Sequence, residues 1–183
     1  MINYKLLQDS LDYYTLKGFS RIEVPWTVSE EINNLTKPKE VVPLQLKHNN
    51  KCLVGSAEQG FLSLVNKGFL MKGKYISLTP CFRDEDFTLL HTKYFMKSEI
   101  FINDDVSDKT LKNLIGNAMG FFDGVLGDKV SLVPTDIGYD IEYEGIELGS
   151  YGIRDFGFVR YIYGTSCAEP RLSRVKSLHG LSH

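Results

Sequence analysis

Apolar residues at Tyr4, Leu7, Leu11 and Tyr14 recur at helical spacing behind Asn3, whose side chain suits an N-cap, and Gly18 marks the stop. Residues 19–24 then alternate as a strand, closed by Pro25, which offers no amide to a ladder. Ser29 heads a short helix, SEEINNL. Residues 36–50 hold Pro38, Pro43 and an HNNK turn and predict no regular element. Residues 51–54 predict a short strand, and residues 57–66 a helix ended by Gly68.

The densest β signal lies between Tyr75 and Ile102. Residues 75–82 are rich in β-branched and aromatic side chains, residues 93–102 alternate likewise, and the charged segment between them has no glycine. This predicts an antiparallel hairpin. Ser107 then caps the longest helix, to about Leu126, with Leu111, Leu114, Ile115, Ala118, Phe122 and Val125 as a core-facing stripe. Residues 130–133, 139–144, 147–151 and 156–163 follow as short strands with tight turns, an antiparallel meander. Residues 171–178, preceded by Pro170, predict a last helix. A leading helix, a mostly antiparallel sheet and helices packed on it make the fold class α+β.

At 183 residues the chain has the length of one domain, expected over residues 1–183. A net charge of −2 excludes the broad basic field that drives strong non-specific nucleic-acid binding. Cys52, Cys81 and Cys167 are widely spaced and form no CxxC pair, so neither a disulfide framework nor a zinc ribbon is indicated and a reducing, cytoplasmic setting is expected. MINYKLLQDS lacks the basic-then-apolar layout of a signal peptide, and no apolar run approaches the roughly 20 residues of a membrane helix.

Arg83 and Glu85 stand two apart, and Phe95 and Glu99 four apart, so each pair shares one face of its strand. An arginine to clamp phosphate, a ring to stack on a base and carboxylates for amino groups or metal suit a nucleotide. The same pattern also fits an ordinary surface hairpin with one buried phenylalanine. In YGTSCAEPR, small residues precede the last helix, a junction that brings backbone amides near an anion, with Arg171 as a second phosphate-ready arginine. His48, His179 and His183 are expected in solvent, and His91 sits in the hairpin turn.

Taken in order, these segments resemble the catalytic core of class II aminoacyl-tRNA synthetases, most closely the seryl type. The first helix followed by GFSRIEVP resembles motif 1, the dimer-interface motif, with Pro25 as its proline. LVGSAEQGFLSL resembles the segment that binds the substrate amino group, with Ser56 replacing threonine and Glu58 retained. TPCFRDE and FMKSE resemble motif 2. DIEYEGIELGSYGIRDFGFVR resembles the strand pair that carries a metal-binding glutamate and a nearby serine, here Glu147 and Ser150. GTSCAEPR resembles motif 3, with Arg171 as its arginine and Pro170 where the family often has glycine.

The resemblance implies roles at these positions. Arg83 would hold the α-phosphate of ATP and Arg171 the γ-phosphate. Glu85 would contact adenine, and Phe95 would stack on it. Glu58 and Glu99, with Ser56, would hold the amino acid. Glu147 and Ser150 would place Mg²⁺ on the phosphates. It also implies a homodimer. Relatives of the seryl type that load a carrier protein's thiol, some with Zn²⁺ on two cysteines and a glutamate, point to Glu99, Cys167 and either Cys52 or Cys81 as a candidate zinc set. No segment matches the seryl type's tRNA-gripping coiled-coil arm or an anticodon-binding domain. Three readings therefore stand: amino acid activation with transfer to a carrier protein or another unusual acceptor, minimal tRNA charging, and a non-catalytic paralogue.

Overall fold

A helix that must bury one stripe opens the chain. In the computed structural model, which describes residues 1–37, 42–84, 88 and 92–181, α1 spans Tyr4–Leu16 and the Asn3 side chain accepts from the amides of Lys5 and Leu6. Its Leu7, Leu11 and Tyr14 are fully buried. They pack with α4 (Asp108–Leu126), capped by Ser107, on one face of a seven-stranded sheet. The chain's own sheet covers this stripe, and only Tyr4 of its four predicted apolar positions stays exposed.

The sheet runs in the order β1 (Ser20–Arg21), β4 (Lys74–Phe82), β5 (Tyr94–Ile102), β9 (Arg160–Glu169), β8 (Ile146–Asp155), β7 (Gly138–Tyr143) and β6 (Ser131–Thr135). All neighbours are antiparallel except the parallel pair β1–β4. The predicted strand over 19–24 shrinks to two residues, because only Ser20 and Arg21 find ladder partners in β4. The β7–β8 hairpin turns on Glu144 and Gly145, both at positive φ, a conformation that costs little at Gly145 because it has no Cβ. A separate two-stranded sheet pairs β2 (Thr27–Ser29), which the sequence pattern missed, with β3 (Lys51–Leu53), the short strand predicted over 51–54.

The opposite face of the large sheet is covered only in part. There α2 (Glu30–Thr36) and α3 (Ala57–Asn66) build a second core with Phe61, Phe101 and Tyr161, whose rings stack in sequence. Gly60 lets α3 close on the β1–β2 connection, since a Cβ there would lie 2.6 Å from Val24 Cγ2. What α3 leaves uncovered is a trough over β5, β9 and β8, closed at one end by α5 (Arg171–Leu178). No helix of the described residues is long and apolar enough to cross a membrane.

Candidate active site

Period-two alternation decides which β5 side chains enter the trough. Phe95, Lys97 and Glu99 take that face, while Met96, Ile100 and Ile102 pack toward α1 and α4. The β4–β5 register sets Cys81, Thr79 and Ser77 opposite them. A cavity of about 160 Å³ opens here, lined by Arg83, Phe95, Lys97, Glu147, Glu169 and Arg171 among others. Arg83, Phe95, Glu147 and Arg171, far apart in sequence, thus meet at one cavity.

Arg83 follows directly on β4. Its Nε donates to the Gly55 carbonyl at 3.2 Å, and its guanidinium lies 5.2 Å from the centre of the Phe95 ring. Arg171 begins α5, with Nη1 3.4 Å from a Glu147 carboxylate oxygen. Glu147 and Ser150 are three apart, which on a regular strand puts them on opposite faces. The β7–β8 register shifts at this point: Glu142 pairs with Glu147 and Asp140 with Ser150, so a bulge at Leu148 brings both to the trough face. Burial raises the Asp140 carboxyl above the usual range; a hydrogen bond from Ser150 lowers it and the charge of Glu147 raises it further. The hard oxygen donors of Glu147 and Ser150 fit magnesium, which takes few protein ligands and keeps waters. Glu85 and His91 lie outside the described residues, as does His183.

None of the expected amino-acid residues Ser56, Glu58 and Glu99 lines this cavity. Ser56 caps α3 and donates to both oxygens of Glu99, at 2.8 and 3.0 Å, and the Ala57 amide donates to the same carboxylate. Lys97, which lines the cavity, has its Nζ 2.8 Å from a Glu99 carboxylate oxygen. Glu58 is engaged at both oxygens, by Arg154 at 2.7 Å and the Tyr161 hydroxyl at 2.7 Å. Burial pushes its carboxyl up, and Arg154 and Tyr161 pull it back. A pocket of about 50 Å³ beside Arg83 is lined by Ser56 and Gln59.

Two expectations are corrected. Residues 164–169 were read as a loop whose amides meet an anion; they are instead buried strand, the end of β9. The anion at the start of α5 is the chain's own Glu169, which accepts from the Ser173 amide and hydroxyl and from the Asn3 amide. The zinc set fails as well. Ser98 pairs with Cys167 and Glu99 with Thr165, so Ser166 is an extra residue that reverses the alternation of β9. Cys167 therefore turns into the α1–α4 core, across the sheet from Glu99, and burial drives its thiol far up. Cys81 is buried beside Glu99, its thiol pushed up to about 12 by burial, and Cys52 belongs to the small two-stranded sheet. No group of three or more His, Cys, Asp or Glu among the described residues is placed to hold a metal ion.

The sequence reading missed Lys97, Arg154, Tyr161, Thr165 and Glu169. Lys97 carried a signal, because it falls midway between Phe95 and Glu99 on their shared face. Arg154 carried none, since its partner Glu58 lies 96 residues away.

No family model and no curated protein matches the sequence. Solved structures match the fold. A seryl-tRNA synthetase from Pyrococcus horikoshii complexed with ATP superposes with a TM-score of 0.76 and 19% identity, over 92% of this chain and 48% of that one. Pyrrolysyl-tRNA synthetase from Desulfitobacterium hafniense gives 0.74 and 13%, over 98% and 70%. A cytoplasmic serine-tRNA ligase from Naegleria fowleri in complex with AMP gives 0.71 and 18%, over 92% and 46%. The chain thus spans about half the length of the two seryl enzymes.

Proposed function

The fold is that of a class II aminoacyl-tRNA synthetase catalytic core, and from it we propose an enzyme that activates an amino acid with ATP to give an aminoacyl adenylate. The observation that carries this reading is the convergence of Arg83, Phe95, Lys97, Glu147 and Arg171 on one cavity. Such a site meets a triphosphate with fixed cations and a base with an aromatic face. Arg83 would hold the α-phosphate and stabilise charge as the carboxylate attacks, and Arg171 the γ-phosphate. Glu147 and Ser150 would hold magnesium, whose charge offsets that of the phosphates. The reaction needs no covalent enzyme intermediate, so positioning and electrostatics suffice.

For the acceptor we propose a small or proteinaceous group, such as a carrier thiol, rather than a tightly gripped tRNA. Long RNA is held through many phosphates, and this chain has 21 Lys and Arg against 23 Asp and Glu. Its densest basic cluster, Arg171, Arg174 and Lys176, is dispersed by the fold: Arg171 faces the cavity and Lys176 is buried. ATP–pyrophosphate exchange against each of the twenty amino acids tests activation. Incubation with total tRNA, and separately with pantetheinylated carrier protein, tests the acceptor; efficient tRNA charging without a partner would reverse that choice. A homodimer is included on the motif 1 resemblance, and sedimentation of the same preparation should read as a dimer.

The role of Phe95 is separable from simple core packing. Phe95→Leu should weaken ATP binding by about 1–3 kcal/mol, the worth of a base–aromatic stack, while Phe95→Tyr keeps most of it. Calorimetry that finds equal losses would remove Phe95 from the base site.

A further inference from the structure

The family resemblance gives Glu99 a place in the amino acid site, and Lys97, its ion-pair partner, has no role assigned there. The pair's side chains are only 16% and 8% exposed, and its two members are held unequally. Glu99 is pinned by the Ser56 hydroxyl and the Ala57 amide. Lys97 reaches it on a flexible stem that lines the cavity, and Glu99 is the carboxylate within ion-pair distance of it among the described residues. Across the ladder, Ser77 and Thr79 stand opposite Glu99 and Lys97, fully buried, with hydroxyls that have no hydrogen-bond partner. The pair is thus bordered by unused polar capacity on its own face.

A closed, buried ion pair is neutral as a unit. A lone cation or anion that displaces one member strands that member without a counter-charge, which is strongly unfavourable. A zwitterion strands neither, because its ammonium takes Glu99 and its carboxylate takes Lys97. We propose that Lys97 and Glu99 form a zwitterion receptor that the incoming amino acid opens, with Lys97 holding the carboxylate that attacks ATP. The proposal rests on amino acid activation as the reaction. Lys97 swings from Glu99 into the cavity that Arg83 and Arg171 line, and offsets the repulsion between carboxylate and triphosphate. A carboxylate oxygen then bonds to the α-phosphorus. The bond from that phosphorus to the bridging oxygen breaks, its electron pair leaves with pyrophosphate, and no proton moves.

The test uses the full chain, its preferred amino acid, and that amino acid's decarboxylated amine and deaminated acid as competitors in the exchange assay. Lys97→Met and Glu99→Gln should each raise the KM for the amino acid about 10- to 150-fold, the loss of one charge-assisted contact, and change the KM for ATP far less. Wild type should reject both single-charge analogues. Lys97→Met should gain affinity for the amine, since Glu99 is left unpaired, and Glu99→Gln should gain affinity for the deaminated acid. A purely structural pair would show no such exchange of preference. An unchanged amino acid KM in Lys97→Met, or no gain for the amine, overturns the proposal. If a single variant does not fold, Lys97→Met/Glu99→Gln removes both charges together and should lose all preference for the zwitterion; a retained preference overturns the proposal. Wild type inactive with all twenty amino acids refutes the activation reading, whereas active wild type with unaltered variants refutes the receptor alone.

Discussion

Arg83→Ala and Arg171→Ala should each lower ATP–pyrophosphate exchange by about 30- to 1000-fold, the effect of removing one charge-assisted clamp on a developing charge. The fold should survive both changes. The contacts of the Arg83 side chain include the Gly55 carbonyl and the face of the Phe95 ring, both at the cavity, and Arg171 meets a half-exposed Glu147. Neither is buried in the two cores. Circular dichroism and melting of each variant would separate loss of chemistry from loss of structure. Near-normal exchange in both variants would place the chemistry outside this cavity.

Arg154→Ala should instead destabilise the chain by about 3–5 kcal/mol, because it strands the Glu58 carboxylate in a buried position. Arg154 contributes the ion pair to Glu58 and a guanidinium 4.4 Å from the centre of the Tyr163 ring, so the alanine loses packing as well as charge. The loss has a defined pH dependence. Burial already raises Glu58 above its unfolded value of about 4.3, and Arg154 opposes the rise. A carboxyl raised in the folded state contributes stability below its unfolded value, and that contribution is lost as pH rises through the folded value. Removing Arg154 widens the gap between the two values. The deficit against wild type should therefore be largest near neutrality and shrink toward about pH 4, where Glu58 is protonated in both states. Urea melts across that range would read it, and a deficit under about 1 kcal/mol or one flat with pH would contradict the account.

The sequence by itself determined most of the elements. Asn3, Ser29 and Ser107 cap the helices predicted after them, and α3 and α5 have the predicted ends. Caps and apolar periods act within a few residues, so they are legible one stretch at a time. The hairpin of β4 and β5 was legible for a related reason, since alternation fixes the face, whereas the grouping of Arg83, Phe95, Glu147 and Arg171 was implied only by the family resemblance.

Only the tertiary structure decided which way the long strands point their side chains past a bulge. The extra residue at Leu148 brings Glu147 and Ser150 to one face, and the extra residue at Ser166 sends Cys167 to the other. A bulge is a mismatch between two strands, so it has no signature in either strand alone. The same holds for charge. Glu58 and Glu99 read as unpaired carboxylates in the sequence, and the fold places Arg154 and Tyr161 on the first and Lys97 on the second. Buried charges require compensation, and what compensates them is chosen by packing between distant segments, which a linear sequence does not display.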